Sequence, residues 1–144
     1  MFDDLVGRVG GDATVGEWHT ITQDQIDQFA DATSDHQWIH VDPERAAAGP
    51  FGDTIAHGFL TLSLLSTLVD PGAVPNVSMA INYGLDRVRF ISPVPVGARV
   101  RARTLLADVT EVTGGVQIKF DVTVEVKGSE RPACVAEWLI RYLN

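Results

Sequence analysis

Asp35 and His40 stand five residues apart in the stretch Asp35-His36-Gln37-Trp38-Ile39-His40 and join a carboxylate to an imidazole. If a turn aims both side chains at one point, they can hold a water and take its proton near neutral pH. Spacing alone leaves a plainer reading open. Asp35 could simply end one helix, and His40 could precede the Asp42 cap of the next. Asp35, His36, His40 and His57 also offer metal-ligand atoms, but they lack a compact His-x-x-x-His spacing, so no metal is expected.

The elements around the pair can be read from local signals. Thr22-Gln23-Asp24-Gln25 has the form of a capping box, with Ile21 and Ile26 at the staple positions. Ile26, Phe29, Ala30 and Thr33 then recur at helical spacing, so one face is buried and the pattern ends near Ser34-Asp35. Asp42-Pro43 opens a second, short helix, because Asp42 can cap and Pro43 suits the first helical position. Gly49-Pro50 stops it. The pair is therefore expected in a non-helical connection between two helices. The first 15 residues carry Gly7, Gly10 and Gly11 and read as irregular, with a short strand around 17–20 after them.

His57 to Val69 is apolar on nearly every side, and a helix of that kind must be surrounded by protein. Asp70-Pro71-Gly72 ends it. Strands follow. Met79, Ile81, Tyr83 and Leu85 alternate, then Val88 and Phe90 carry on one residue out of phase, which predicts a bulge near Asp86. Arg99 to Thr104 alternates in the same way. Val116 to Val126 is the cleanest strand, apolar on one face and polar on the other. Gly114-Gly115 makes its hairpin, and a last strand covers roughly 133–142. A sheet apolar on one face needs a cover, and the one suitable cover is the apolar helix. The fold class is therefore α+β, a single hot-dog domain over 1–144 with an antiparallel sheet wrapped around a central helix. Its edges need protection, which predicts a homodimer.

Composition narrows the function classes. A net charge of -8 argues against a nucleic-acid partner. The apolar run Phe59 to Val69 is far shorter than the roughly 20 residues of a membrane span, so no membrane partner is expected. The stretch MFDDLVGRVGGD has no signal-peptide pattern, and a cytoplasmic location is expected. Cys134, the single cysteine, sits in an apolar strand and reads as buried rather than reactive. Arg87, Arg89, Arg99, Arg101 and Arg103 fall within 17 positions. They are either a solvated strand face or a phosphate contact. Trp18, Trp38 and Trp138 read as core or interface, and His19 and His36 as surface or loop residues.

The stretch from Phe29 to Pro43, with Asp35 and His40 in it, resembles the MaoC-like, (R)-specific enoyl-CoA hydratase and 3-hydroxyacyl-CoA dehydratase family. His57-Gly58-Phe59-Leu60, seventeen residues after His40, is similar to that family's His-Gly opening of the central helix. The likeness is strong over about 21–66. In one place it departs: Gln37-Trp38 stands where the family has Asn-Pro. The resemblance implies that Asp35 and His40 are a catalytic acid/base pair gripping one water. It implies that Gly58 presents its N–H to a thioester oxygen, with Ala56 and His57 beside it. First-turn N–H groups are unpaired and meet a positive dipole, which suits an oxygen gaining charge. Ser66 falls where the family has a serine facing the site. Asn82, Tyr83 and Gly84 are either an ordinary strand with a glycine at a bulge or a wall of the coenzyme A tunnel. His57 is either a structural group at the helix start or a catalyst. The implied substrate is an acyl-CoA thioester, with coenzyme A part of the substrate and no separate cofactor. Two rival readings share the fold: an acyl-CoA thioesterase, and a non-catalytic acyl-CoA-binding module.

Overall fold

The computed structural model describes residues 2–70, 74 and 77–144. Four long strands form the body: β3 (Met79–Phe90), β4 (Arg99–Val112), β5 (Gly115–Val126) and β6 (Cys134–Leu143). All pair antiparallel, in the order β4-β5-β6-β3. Two short strands, β1 (Thr14–Val15) and β2 (His19–Thr20), pair with the far edge of β4. This is the α+β hot-dog arrangement.

Alternation decides which face of the sheet is core. In β5, Val116, Ile118, Phe120, Val122 and Val124 are buried, while Gln117, Lys119, Thr123 and Glu125 lie on the other side. On β6, Cys134, Ala136, Trp138, Ile140 and Tyr142 are buried. The outer face is knitted by charge: Lys119 reaches Asp86 at 2.9 Å and Glu137 at 3.4 Å, and Arg101 and Arg103 share Glu125. Arg101 also stacks over Trp18, 4.2 Å from the ring centre. These two arginines are therefore strand-face groups. Burial pushes the Cys134 thiol up to about 11, so it remains an unreactive thiol at neutral pH.

Two register shifts in β3, one passing Tyr83 and one passing Asp86, bend that strand, the second where the phase slip predicts it. A third shift passes Ala107 in β4. The β4–β5 hairpin turns through Thr113-Gly114, with Gly114 at φ +81°. A side chain at Gly115 would run into the Tyr142 carbonyl, so the strands can close there only around glycine.

The helices lie on the core face. In α2 (Gln23–Thr33), Thr22 caps by accepting the Gln25 N–H at 3.1 Å, a contact worth about 1 kcal/mol. The return half of the capping box is not made, because Gln25 Oε1 pairs with His19 Nε2 at 3.0 Å instead. Ile21 and Ile26 are fully buried. Asp42 caps α4 (Pro43–Ala47) through the Arg45 N–H at 3.1 Å.

Three expectations need correction. Residues 2–7 are not irregular: α1 (Phe2–Gly7) forms because Leu5 is 1% exposed and Phe2 packs on the same core. The stretch between α2 and α4 is not wholly non-helical, since α3 (Trp38–Val41) is one helical turn carrying His40. The apolar segment is neither one helix nor fully wrapped. It splits at Leu64 into α5 (Gly58–Ser63) and α6 (Leu65–Leu68), and Phe59, Ser63 and Ser66 face outward, Phe59 at 67% exposure. Leu60, Leu64, Leu65 and Leu68 supply the buried stripe. The expected stop at Asp70-Pro71-Gly72 falls partly at 71–72, outside the described residues. No helix among the described residues is long and apolar enough to cross a membrane.

Candidate active site

Each side chain of the candidate pair is delivered by a local backbone device. Helix α2 ends at Thr33, and Ser34 turns the chain in the left-handed conformation at φ 61°. Asp35 leaves that turn exposed, and its Oδ1 accepts the Gln37 N–H at 3.3 Å. His40 rides on α3 and is only 6% exposed. Gln23, in the first turn of α2, donates Nε2–H to the His40 carbonyl at 2.8 Å. Its Oε1 accepts the hydroxyl of the fully buried Thr54 at 2.5 Å. Gln23 thus ties α2, α3 and the 54–56 segment together.

Trp38 opens the turn. Its ring lies under the Arg45 guanidinium, 4.3 Å from the ring centre, and its edge lies 3.0 Å from where a Gly49 Cβ would sit. Packing against α4 and Gly49 therefore holds α3.

A carboxylate oxygen of Asp35 and one ring nitrogen from each of His40 and His57 all lie within 4.8 Å of one another. One water hydrogen-bonded at about 2.8 Å to each of two groups holds them about 4.6 Å apart, so groups within this limit are close enough to share one. His40 Nδ1 lies 2.7 Å from the Ile55 carbonyl, which can only accept, so Nδ1 carries the proton and Nε2 is the free base. Burial lowers the His40 pKa from its ordinary value of 6.5; the Ile55 bond opposes this, nearby His57 adds to it, and Asp35 opposes it. The imidazole is therefore neutral, and able to accept a proton, over the neutral range.

The three groups do not make a good metal site. The His40 and His57 rings stack with centres 3.9 Å apart and planes 24° apart. In-plane lone pairs of rings stacked this way do not meet at a point about 2 Å from both nitrogens, as a bound zinc ion requires.

His40 and Gly58 line one cavity of about 240 Å³, together with Phe51, Thr61, Phe90 and Ser92. Gly58 is the first residue of α5, where a backbone N–H has no partner within its own helix. A Cβ here would come 3.2 Å from the Phe90 ring. Ala56 also lines the cavity, but its N–H is committed to the Val94 carbonyl at 2.8 Å. His57 caps α5 without a side-chain bond to it; its Nε2 lies 3.0 Å from the Asp35 carbonyl. The remaining expected residues lie elsewhere. Ser66 and Asn82 line a separate cavity of about 250 Å³ with Trp138 and Tyr142. Trp138 donates Nε1–H to Asn82 Oδ1 at 3.2 Å. Tyr83 lies under Arg141, 3.6 Å from the ring centre, and Gly84 faces open space.

Gln23, Thr54, Phe51, Thr61, Phe90 and Ser92 were not singled out by sequence reasoning. For Thr61 a signal existed: it stands three residues after Gly58, on the same helix face. The others are remote in sequence and carried none.

Comparison with known proteins bears on the family and the fold. The family described as MaoC like domain matches residues 6–129. A 3-hydroxyacyl-thioester dehydratase Z of Mycobacterium tuberculosis is 57% identical over 142 residues, covering 97% of this chain and 94% of that protein. Nodulation protein N of Rhizobium leguminosarum bv. viciae is 51% identical over 142 residues, covering 94% of this chain and 87% of that protein. Among solved structures, an (R)-hydratase from A. caviae involved in PHA biosynthesis superposes with a TM-score of 0.75 at 24% identity, covering 92% of this chain and 95% of that one, a likeness of fold.

Proposed function

The chain belongs to the MaoC-like domain family, and on that premise we propose that it catalyses (R)-specific hydration of trans-2-enoyl-CoA to (3R)-hydroxyacyl-CoA and the reverse dehydration, as a hydro-lyase of fatty acid metabolism. The observation that carries the reading is the meeting of Asp35 and His40 within 4.8 Å, with His40 on the same cavity as Gly58. The 57% identical dehydratase supports the reaction class.

In the hydration direction, Asp35 and His40 hold a water. His40 Nε2 takes its proton, and the hydroxide oxygen bonds to Cβ of the enoyl thioester. The Cα–Cβ π electrons move onto the thioester oxygen, giving an enolate. Gly58 donates its N–H to that oxygen, and one preformed donor of this kind is worth about 3 kcal/mol of barrier. The enolate collapses as His40 Nε2 returns its proton to Cα, and the histidine is neutral again. Dehydration runs these steps backwards. Coenzyme A leaves with the product, so no separate cofactor takes part.

A homodimer and a cytoplasmic location belong to the same proposal. Met79, Ile81, Tyr83, Leu85 and Phe90 of β3 are all at least 40% exposed, and Phe59 meets Phe90 edge to face at 6.1 Å. An apolar edge strand of 12 residues invites pairing, and a second copy of this chain fits it. Closure there would turn Ser66, Asn82, Tyr83 and Gly84 towards a wall of the coenzyme A tunnel.

Incubation with crotonyl-CoA tests the reaction. Loss of enone absorbance without release of thiol is expected. Release of thiol would replace the reading with thioester hydrolysis, and tight binding with no turnover would replace it with an acyl-CoA-binding module.

A further inference from the structure

We propose that His57 is a positioning residue with two separate duties, one to each member of the acid/base pair: its Nε2–H fixes the Asp35 turn and its ring face fixes the plane of His40. This rests on the hydratase reading of the site. His57 is 2% exposed, and the reaction steps above do not use it. Its Nε2 bonds a carbonyl oxygen, so Nε2 carries the proton. That bond spans 22 residues and ends on the backbone of Asp35 itself. It therefore governs where the carboxylate leaves the turn. Among the described residues, the other bonds of Asp35 itself are longer and local, Asp35 N–H to Thr33 Oγ1 at 3.4 Å and Gln37 N–H to Asp35 Oδ1 at 3.3 Å, while the neighbouring His36 is tied back to Asp31 at 2.8 Å.

The second duty is carried by the stack. His40 is held in its own plane by one in-plane bond, Nδ1–H to Ile55. Such a bond leaves the ring free to tilt about it. The His57 ring, 3.9 Å away and 24° from parallel, removes that freedom. Phe29 also packs on His57, with ring centres 4.9 Å apart and planes tilted by 57°. His57 Nδ1 is buried and has no hydrogen-bond partner among the described residues. Leaving a buried polar atom unpaired is costly, and a phenylalanine would fill the space without that cost. The imidazole is explained by needing an N–H at one position and an aromatic face at another. The sequence offers a reason for the coupling as well: His57 immediately precedes Gly58, so the residue that aligns the pair also begins the helix that presents the Gly58 N–H.

The two duties separate in three variants. His57→Gln keeps a donor near the Asp35 carbonyl and loses the ring. His57→Phe keeps the ring and loses the donor. His57→Leu loses both. We expect His57→Leu to lower kcat for crotonyl-CoA hydration about 100-fold with KM within about threefold, the scale of a misaligned catalytic group. His57→Gln and His57→Phe should each recover about tenfold of that loss. Amide hydrogen exchange over 34–37 should be slowed in wild type and His57→Gln and fast in the other two. The His40 ring resonances should stay near wild type in His57→Phe and move in His57→Gln. Recovery by neither variant or by one alone, or resonances and exchange that do not sort this way, would overturn the double role. A wild type with no crotonyl-CoA turnover would count against the hydratase reading alone, because the exchange and resonance measurements still decide the positioning.

Discussion

His40 donates its Nδ1–H to the Ile55 carbonyl at 2.7 Å. A backbone oxygen cannot give a proton back, so the bond holds the imidazole in one tautomer and leaves Nε2 able to accept a proton. The same bond accounts for the burial of a histidine at 6% exposure, since one of its two polar atoms is satisfied in the protein and the other is kept for a water.

Removing either member of the pair should stop turnover without unfolding the protein. Asp35→Asn and His40→Ala are each expected to reduce crotonyl-CoA hydration at least about 100-fold. Asp35 is exposed, so its variant should retain the wild-type melting temperature and circular dichroism. Near-normal rates in a folded variant would remove the pair from the mechanism.

The pH dependence follows from the lowered His40 pKa. In the proposed mechanism the neutral ring is the base, so the acid limb of kcat/KM should fall below 6.5, the ordinary histidine value. Stability carries the same sign. Because the folded pKa lies below the unfolded one, the unfolded state binds the proton more readily. The contribution is present above 6.5 and is lost as pH falls through the folded value. Denaturant titrations across that window check this. The acid-side fall should flatten in His40→Gln, which cannot titrate.

The seat of Trp38 makes Gly49 a sensitive position. A Gly49→Ala methyl would stand 3.0 Å from the Trp38 ring edge, and the ring is also confined by Arg45. Destabilisation of about 1–3 kcal/mol is expected, the usual range for overpacking. Because α3 carries His40, kcat should fall by more than KM rises. Urea melts and steady-state kinetics on the same preparation measure both.

The exposed face of β3 should determine oligomeric state. Ile81→Lys places a charge in the apolar row between Met79 and Tyr83. We expect sedimentation velocity to show a dimer for wild type and a monomer for the variant. A wild type that sediments as a monomer at micromolar concentration would end the dimer reading.

The Gly58 position gives a local test of the oxyanion donor. Gly58→Ala brings a methyl group to 3.2 Å from the Phe90 ring, so the ring beside the cavity must give by a few tenths of an ångström. Turnover should drop about 10- to 100-fold, in line with disturbing one oxyanion donor. A change in binding of a non-reactive acyl-CoA alone, with the rate intact, would speak against that role.

Sequence by itself determined the parts whose causes are local. Thr22 and Asp42 cap helices because a short oxygen-bearing side chain meets unpaired N–H groups a few residues on. The strict alternation of Val116 to Val126 dictates a half-buried strand, and the phase slip at Asp86 dictates its bulge. Asp35 and His40 were legible as near neighbours because they lie five residues apart, but their reading as an acid/base pair came from the family resemblance and not from spacing. Tertiary structure alone decided the rest. Leu5 makes a helix of an otherwise glycine-rich start because a distant core accepts it. Phe59 and Ser66 face outward because the sheet of one chain covers a single side of α5 and α6. Phe90 meets Gly58, and His57 meets both Asp35 and His40, across separations no periodicity encodes. Such contacts are set when a curved sheet brings remote segments together, and the chain pattern records only which side of each segment is apolar.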